Sequence, residues 1–143
     1  YPIIKLAGKA ASAHGYLWNL EEVAIRTASD FGVTAFRRAG MNGAWTEAGK
    51  IAAIGFHIRR KISLHGMSFN VSKTPEGFDL IVPCGLAGES VACLKTLLGR
   101  DCPTMKDVAD SLLHNFSEVC GREIDIVDNR SFDFYDQKSI ARQ

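Results

Sequence analysis

The chain has 143 residues, a hydrophobic fraction of 46% and a charged fraction of 23%, which excludes disordered, collagen-like and coiled-coil classes. Seventeen Lys+Arg stand against sixteen Asp+Glu, so the basic excess expected of a nucleic-acid binder is missing. No run of 18 apolar residues exists for a membrane span, and at this length a single domain can bury roughly two-thirds of its unfolded surface.

In chain order, the first element is an amphipathic helix over about residues 14–31. Leu17, Leu20, Ala24, Ala28 and Phe31 recur at helical steps, Trp18 and Ile25 widen the stripe, and Gly32 stops it. The period then changes. Residues 33–37 alternate as a strand, 39–43 read as a turn, 44–46 as a short strand and 50–58 as a longer one rich in Ile and Ala. A basic turn, Arg59-Arg60-Lys61, leads to a strand pair around 62–64 and 67–71, and 72–77 form a polar loop. Beyond it come Phe78-Asp-Leu-Ile-Val82, Pro83-Cys84-Gly85 and an apolar segment over 91–98. A second helix occupies about 104–120. Pro103 precedes it, Thr104 is its N-cap, and Met105, Val108, Leu112, Phe116 and Val119 form its stripe. From Arg122 the tail is polar and is expected to fray. Helix, several strands and helix predict one α+β domain with a mostly antiparallel sheet over residues 1–143.

The four cysteines, Cys84, Cys93, Cys102 and Cys120, have no metal-ligand or disulfide-scaffold spacing and read as free thiols. No metal and no cofactor is expected. Cys93, Cys102 and Cys120 fall in apolar periodic segments and read as core. Cys84 differs: Pro83 fixes the backbone before it and Gly85 frees the backbone after it. Such a turn presents a side chain and can aim the Gly85 N–H at a forming oxyanion, although the triplet alone is a weak signal and fits a small buried thiol better. A nucleophilic cysteine needs a cation or an imidazole beside it. Lys50, His57 and His65 are the candidates for that place. Gly55 and Gly66 inside strand-like segments point to close approach of a ligand or to a bulge. His57-Ile58-Arg59-Arg60-Lys61 reads either as a solvated hairpin or as a landing site for an acidic protein.

Three segments stand in register: Gly49-Lys50-Ile-Ala-Ala-Ile-Gly55, His65-Gly-Met-Ser-Phe-Asn-Val71 and Ile81-Val-Pro-Cys84-Gly85. Together they resemble the octanoyltransferases of lipoate synthesis, the lipoate-protein ligase B family. Leu20-Glu-Glu, Ile25-Arg-Thr and Asp30-Phe-Gly32 resemble that family's helix, and Pro103-Thr-Met-Lys-Asp-Val108 the start of its last one. The resemblance covers roughly residues 1–120.

It implies the fold of a biotin/lipoate protein ligase catalytic domain. It also implies transfer of an octanoyl group from octanoyl-acyl carrier protein to a lysine of a lipoyl domain, either of the 2-oxoacid dehydrogenase complexes or of the glycine cleavage H protein. Cys84 would carry the acyl group as a thioester, and Lys50 would lower the thiol's pKa and move protons. Ala53, Ile54, Gly55, His65, Gly66, Met67 and Ser68 would line the acyl channel. No ATP is implied, because the thioester is already activated, and the enzyme would act in bacterial cytoplasm or in the mitochondrial matrix; the helical stripes show no extra apolar face, so a monomer is expected. Phe56-His57 departs from the small aliphatic followed by Arg or Lys usual in the family. The family's Arg-Gly-Gly and Tyr-His-Gly-Pro-Gly stretches do not occur, and Tyr1-Pro2-Ile3 resembles the segment immediately after them, so an N-terminally incomplete chain is expected. Without the resemblance, a Cys84–His65 acyl thioesterase or hydrolase, or a non-catalytic module binding an acyl carrier or lipoyl domain, would serve as well.

Overall fold

The computed structural model describes residues 1–8, 12–72 and 90–125. Helix α1 spans Ala13–Asp30. It begins where the Ser12 hydroxyl accepts the Gly15 N–H at 3.0 Å. It ends because Gly32 takes a left-handed φ of 75°, letting Gly32 N–H reach Ser29 O and Val33 N–H reach Ala28 O, both at 2.9 Å. Strands β1 (Phe36–Arg38), β2 (Met41–Thr46), β3 (Gly49–Arg59) and β4 (Ile62–Phe69) come next. They pair antiparallel in chain order, β1-β2-β3-β4. A short helix α2 (Leu94–Leu98), a single 3₁₀ turn and helix α3 (Met105–Cys120) complete the described chain. The α+β expectation holds, and so do the two long helices.

Helix α3 starts on the expected cap. Thr104 Oγ1 accepts the Asp107 N–H at 3.2 Å and the Asp107 carboxylate accepts the Thr104 N–H at 3.0 Å, closing a reciprocal box. Hydrogen bonding from Thr104 holds the Asp107 carboxyl below its usual range. Gly121, left-handed at φ 59°, ends the helix.

Helices α1 and α3 pack against each other, and α1 lies on β2, β3 and β4. Ala24, Ala28, Val33, Ala44, Ile51, Ala52, Leu94 and Val108 interlock between these layers, while Leu6, Tyr16 and Leu20 form a second cluster joined by Ile54, Phe56 and Met67. The N-terminal segment closes that cluster. Lys5 bridges Ile62, Leu6 N–H reaches Lys61 O at 2.7 Å, and the Pro2 carbonyl accepts both the Ser63 and Tyr16 hydroxyls.

Several local expectations give way to tertiary context. Residues 41–43 belong to β2, so the turn is confined to Ala39-Gly40, and the first strand starts at Phe36 rather than Val33, which is buried just after the helix stop. The expected pair of strands around 62–64 and 67–71 is one strand, β4, because His65 takes φ 64° without breaking register with β3. The apolar segment 91–98 divides into a bridge at Val91 and helix α2. Trp18 and Met105 leave the core, at 53% and 66% exposure. The Trp18 ring is instead covered by the Arg37 guanidinium, 3.7 Å from its centroid.

Arg37 joins α1 to the sheet. Its guanidinium pairs with Glu21 at 3.2 Å and Glu22 at 2.8 Å, and the buried Glu21 carboxylate also accepts the Gly43 N–H. The hydrogen bond from Arg37, aided by Arg26, holds the Glu22 carboxyl below its usual range.

Candidate active site

Strict alternation along β3 would put Lys50 on the same face as Ala52, Ile54 and Phe56, the face covered by helices. The structure does otherwise. Ala44 pairs with Ala52 but Trp45 pairs with Lys50, so Ile51 is an extra residue. This β-bulge turns both Ile51 and Ala52 into the core, where neither has any exposure, and carries Lys50 to the opposite face of the sheet. There Lys50 shares a face with Trp45, its register partner, and with Ala53, Gly55 and Ser68 farther along.

The Lys50 ammonium stands 4.7 Å from the Trp45 ring centroid, and the Arg38 guanidinium lies 4.5 Å from the same ring. The indole, fully buried, is thus flanked by two cations. Among the described residues no carboxylate is within ion-pair distance of Lys50. Gly43 sits against the lysine stem, where an added Cβ would come 3.5 Å from Cε and land on the Ala52 carbonyl.

The backbone of Lys50 is held from a second direction. Lys50 N–H reaches Ser90 O at 2.9 Å, Ala92 N–H reaches Lys50 O at 3.0 Å, and Val91 bridges Lys50 in parallel sense. Gly49, at φ 135°, is so tightly covered that a Cβ there would collide with the Ser90 carbonyl. Cys84 and Gly85 lie outside the described residues. Ser90 follows Cys84 by six residues, so a segment that begins six residues after Cys84 is pinned to the backbone of Lys50.

The proposed channel residues separate by face. Ala53 pairs with Ser68 and Gly55 with Gly66, and nothing lies within 4 Å of a Cβ built on Gly55. A Cβ on Gly66 would meet Pro2 Cδ at 2.5 Å, so that glycine admits the N-terminal segment. Ile54 and Met67 pack on the helix side against the Leu6–Tyr16–Leu20 cluster. The exposed His65 ring meets Tyr1 edge to face, with centroids 6.0 Å apart.

His65 pairs with Phe56, six residues along β3 from Lys50, a strand distance of roughly 20 Å. The structure therefore brings together Lys50, Trp45, Arg38 and the segment following Cys84, and keeps His65 apart from them. Cys93 is buried and Cys102 and Cys120 are half-buried, all three free. Burial pushes the Cys120 thiol up, away from nucleophilic use.

Comparison with known proteins shows the family of the chain. Residues 1–117 match the family of lipoyl protein ligase A/B catalytic domains. The chain belongs to that family. It is 40% identical over 116 residues to an octanoyltransferase of Geobacter metallireducens, covering 81% of this chain and 54% of that protein. Likewise it is 41% identical over 111 residues to an octanoyltransferase of Pelobacter propionicus (78% and 52%), and 39% over 123 residues to one of Thermosynechococcus vestitus (86% and 54%). The chain spans about half the length of these curated relatives. Membership in the lipoyl ligase A/B family accounts for the α+β architecture, and the three sequence motifs fall within its matched span.

Sequence reading named Lys50 but not the residues around it. Arg38, Gly43, Trp45 and Asn70 had signals only in retrospect: an aromatic beside a strand lysine, and an asparagine near the end of the second motif.

Proposed function

We propose that this protein is an acyltransferase of protein lipoylation, moving an octanoyl group from acyl carrier protein to a lysine of a lipoyl domain through a thioester on Cys84. The observation that carries this reading is the placement of Lys50, in a chain of this family, on the sheet face opposite Ala52, with its backbone hydrogen-bonded to residues 90 and 92, which follow Cys84 in the chain. An ammonium without a carboxylate partner among the described residues is available to favour a thiolate by Coulomb attraction.

In the first step the Cys84 thiolate attacks the carrier's thioester carbonyl. A new C–S bond forms to Cys84, the bond to the carrier sulfur breaks, and the departing thiolate takes a proton from the Lys50 ammonium. In the second step the neutral amine of the lipoyl-domain lysine attacks the Cys84 thioester. The C–N bond forms, the C–S bond breaks, and Lys50, now neutral, takes the amine proton. Exchange between thioesters is nearly balanced in energy and aminolysis is downhill, so no nucleotide is consumed. The surface over Ala53, Gly55 and Ser68 offers small side chains and room for an acyl chain.

The partners on this reading are acyl carrier protein, and lipoyl domains of 2-oxoacid dehydrogenases and the glycine cleavage H protein. The compartment is the cytoplasm of a bacterium or the mitochondrial matrix of a eukaryote. Among the described residues, no helix is long and apolar enough to cross a membrane. Lys50 and the register position of His65 lie roughly 20 Å apart along β3, so one thiol cannot use both, and replacing each in turn separates this reading from the Cys84–His65 hydrolase.

Intact mass after incubation with octanoyl-acyl carrier protein tests the reading. One octanoyl adduct, removed by hydroxylamine and absent from Cys84→Ser, is expected. A folded protein that forms no adduct would overturn it.

A further inference from the structure

The bulge that aims Lys50 is closed from both sides by one residue. At Ala52 the edge of β3 still pairs with Phe69 of β4, but at Lys50 the neighbouring strand is the segment 90–92. Where one neighbour hands over to another, two strands diverge; the Lys50 carbonyl keeps one donor, the Ala92 N–H at 3.0 Å, and has a lone pair for a second. Asn70 occupies that gap. Its backbone N–H reaches Ile51 O at 2.9 Å, and its own carbonyl accepts the Leu94 N–H at 3.0 Å. Its side-chain amide donates to Lys50 O at 3.3 Å and to Ala92 O at 3.1 Å. Both hydrogens of one amide group therefore join the carbonyl of the candidate catalytic lysine to the strand that leads back toward Cys84.

We propose that Asn70 is the positioning residue for Lys50, holding the bulge that turns its ammonium to the face opposite Ala52 and tying its backbone to the segment 90–92. Only a short side chain ending in two coplanar donors spans the carbonyls of Lys50 and Ala92 at once. Asp would offer acceptors to two carbonyls, Ser can satisfy one of them, and Ala leaves both without the amide. The proposal rests on the acyltransferase reading, in which Lys50 acts on the Cys84 sulfur.

The test is the pH dependence of iodoacetamide alkylation at Cys84, followed by mass spectrometry of its peptide, beside the rate of octanoyl-enzyme formation. Wild type, Lys50→Ala, Asn70→Ala, Asn70→Ser and the double variant Lys50→Ala/Asn70→Ala are compared at matched folded fraction. Lys50→Ala is expected to move the alkylation midpoint upward, and Asn70→Ala to move it in the same direction. Asn70→Ala should also slow acylation about tenfold to a hundredfold with little change in KM, the penalty of a misplaced group. Asn70→Ser should retain part of the rate, and covers the case in which Asn70→Ala does not fold. Because Asn70 acts through Lys50, the double variant should be no slower than Lys50→Ala alone.

A midpoint that moves in Lys50→Ala but not in the Asn70 variants overturns the positioning role and leaves the acyltransferase reading standing. Additive losses in the double variant also overturn it, since they assign Asn70 a merely structural effect. A Cys84 that neither acquires octanoate in wild type nor responds to Lys50→Ala overturns the reading on which the proposal rests.

Discussion

At one end β3 runs in unbroken register with β4 through eight pairs to Arg59↔Ile62 and closes in a two-residue turn; at the other it bulges, loses β4 and takes a parallel partner at Lys50. The regular end is built by local rules. Arg60 and Lys61 both take positive φ, 50° and 63°, as a type I′ hairpin turn requires, although neither is a glycine or an asparagine. The irregular end is built by distant residues: Ser90, Ala92 and Asn70 supply what the ladder no longer can. A sheet exposes a functional side chain where its hydrogen-bonding pattern changes hands. On the proposed reading the chemistry belongs to the irregular end, and the hairpin presents charge.

The comparison can be broken most forcefully at Lys50. Lys50→Ala should cut octanoyl-enzyme formation by about a thousandfold, in the range of a lost acid–base group, while His65→Ala should cost no more than about tenfold. Single-turnover acylation measures both, and the opposite ranking would place the chemistry at the other end of the strand. The glycines offer a stability version of the same contrast. Gly49→Ala places a Cβ on the Ser90 carbonyl at φ 135° and should cost about 3 kcal/mol, whereas Gly55→Ala, with open space around it, should stay within about 0.5 kcal/mol. Urea midpoints distinguish them.

At the hairpin, Arg60→Asn combined with Lys61→Gly relieves two left-handed positions and should stabilise by about 1 kcal/mol, read as a higher Tm. If the cations there receive an acidic carrier, the same double change should raise KM for octanoyl-acyl carrier protein and leave a small octanoyl thioester unaffected.

The smallest effect is expected where α1 meets the sheet. Hydrogen bonding to Arg37 depresses the folded-state pKa of Glu22, so its contribution is complete above the ordinary glutamate pKa and disappears as pH falls through the lowered one. Arg37→Met should remove that contribution at neutral pH and flatten the acid limb of the stability profile. A stability difference from wild type that persists undiminished at pH values below about 2 would contradict the pairing.

Both long helices were legible because their signals are local. Ser12, Gly32, Thr104, Asp107 and Gly121 mark ends through hydrogen bonds spanning a few residues, and the stripes between them need only a 3.6-residue period. Strand limits were less legible: β2 begins in a stretch that reads as a turn, and β4 passes through His65 without interruption, because pairing partners decide where a strand continues. Motif order in the sequence also identified the family and singled out Lys50 and Cys84. Sequence alone could not determine the face on which Lys50 lies, since alternation assigns it to the core. One extra residue at Ile51, held by Asn70 and by strand 90–92, reverses that assignment through contacts between segments about 20 to 40 residues apart, a separation over which side-chain periodicity carries no information.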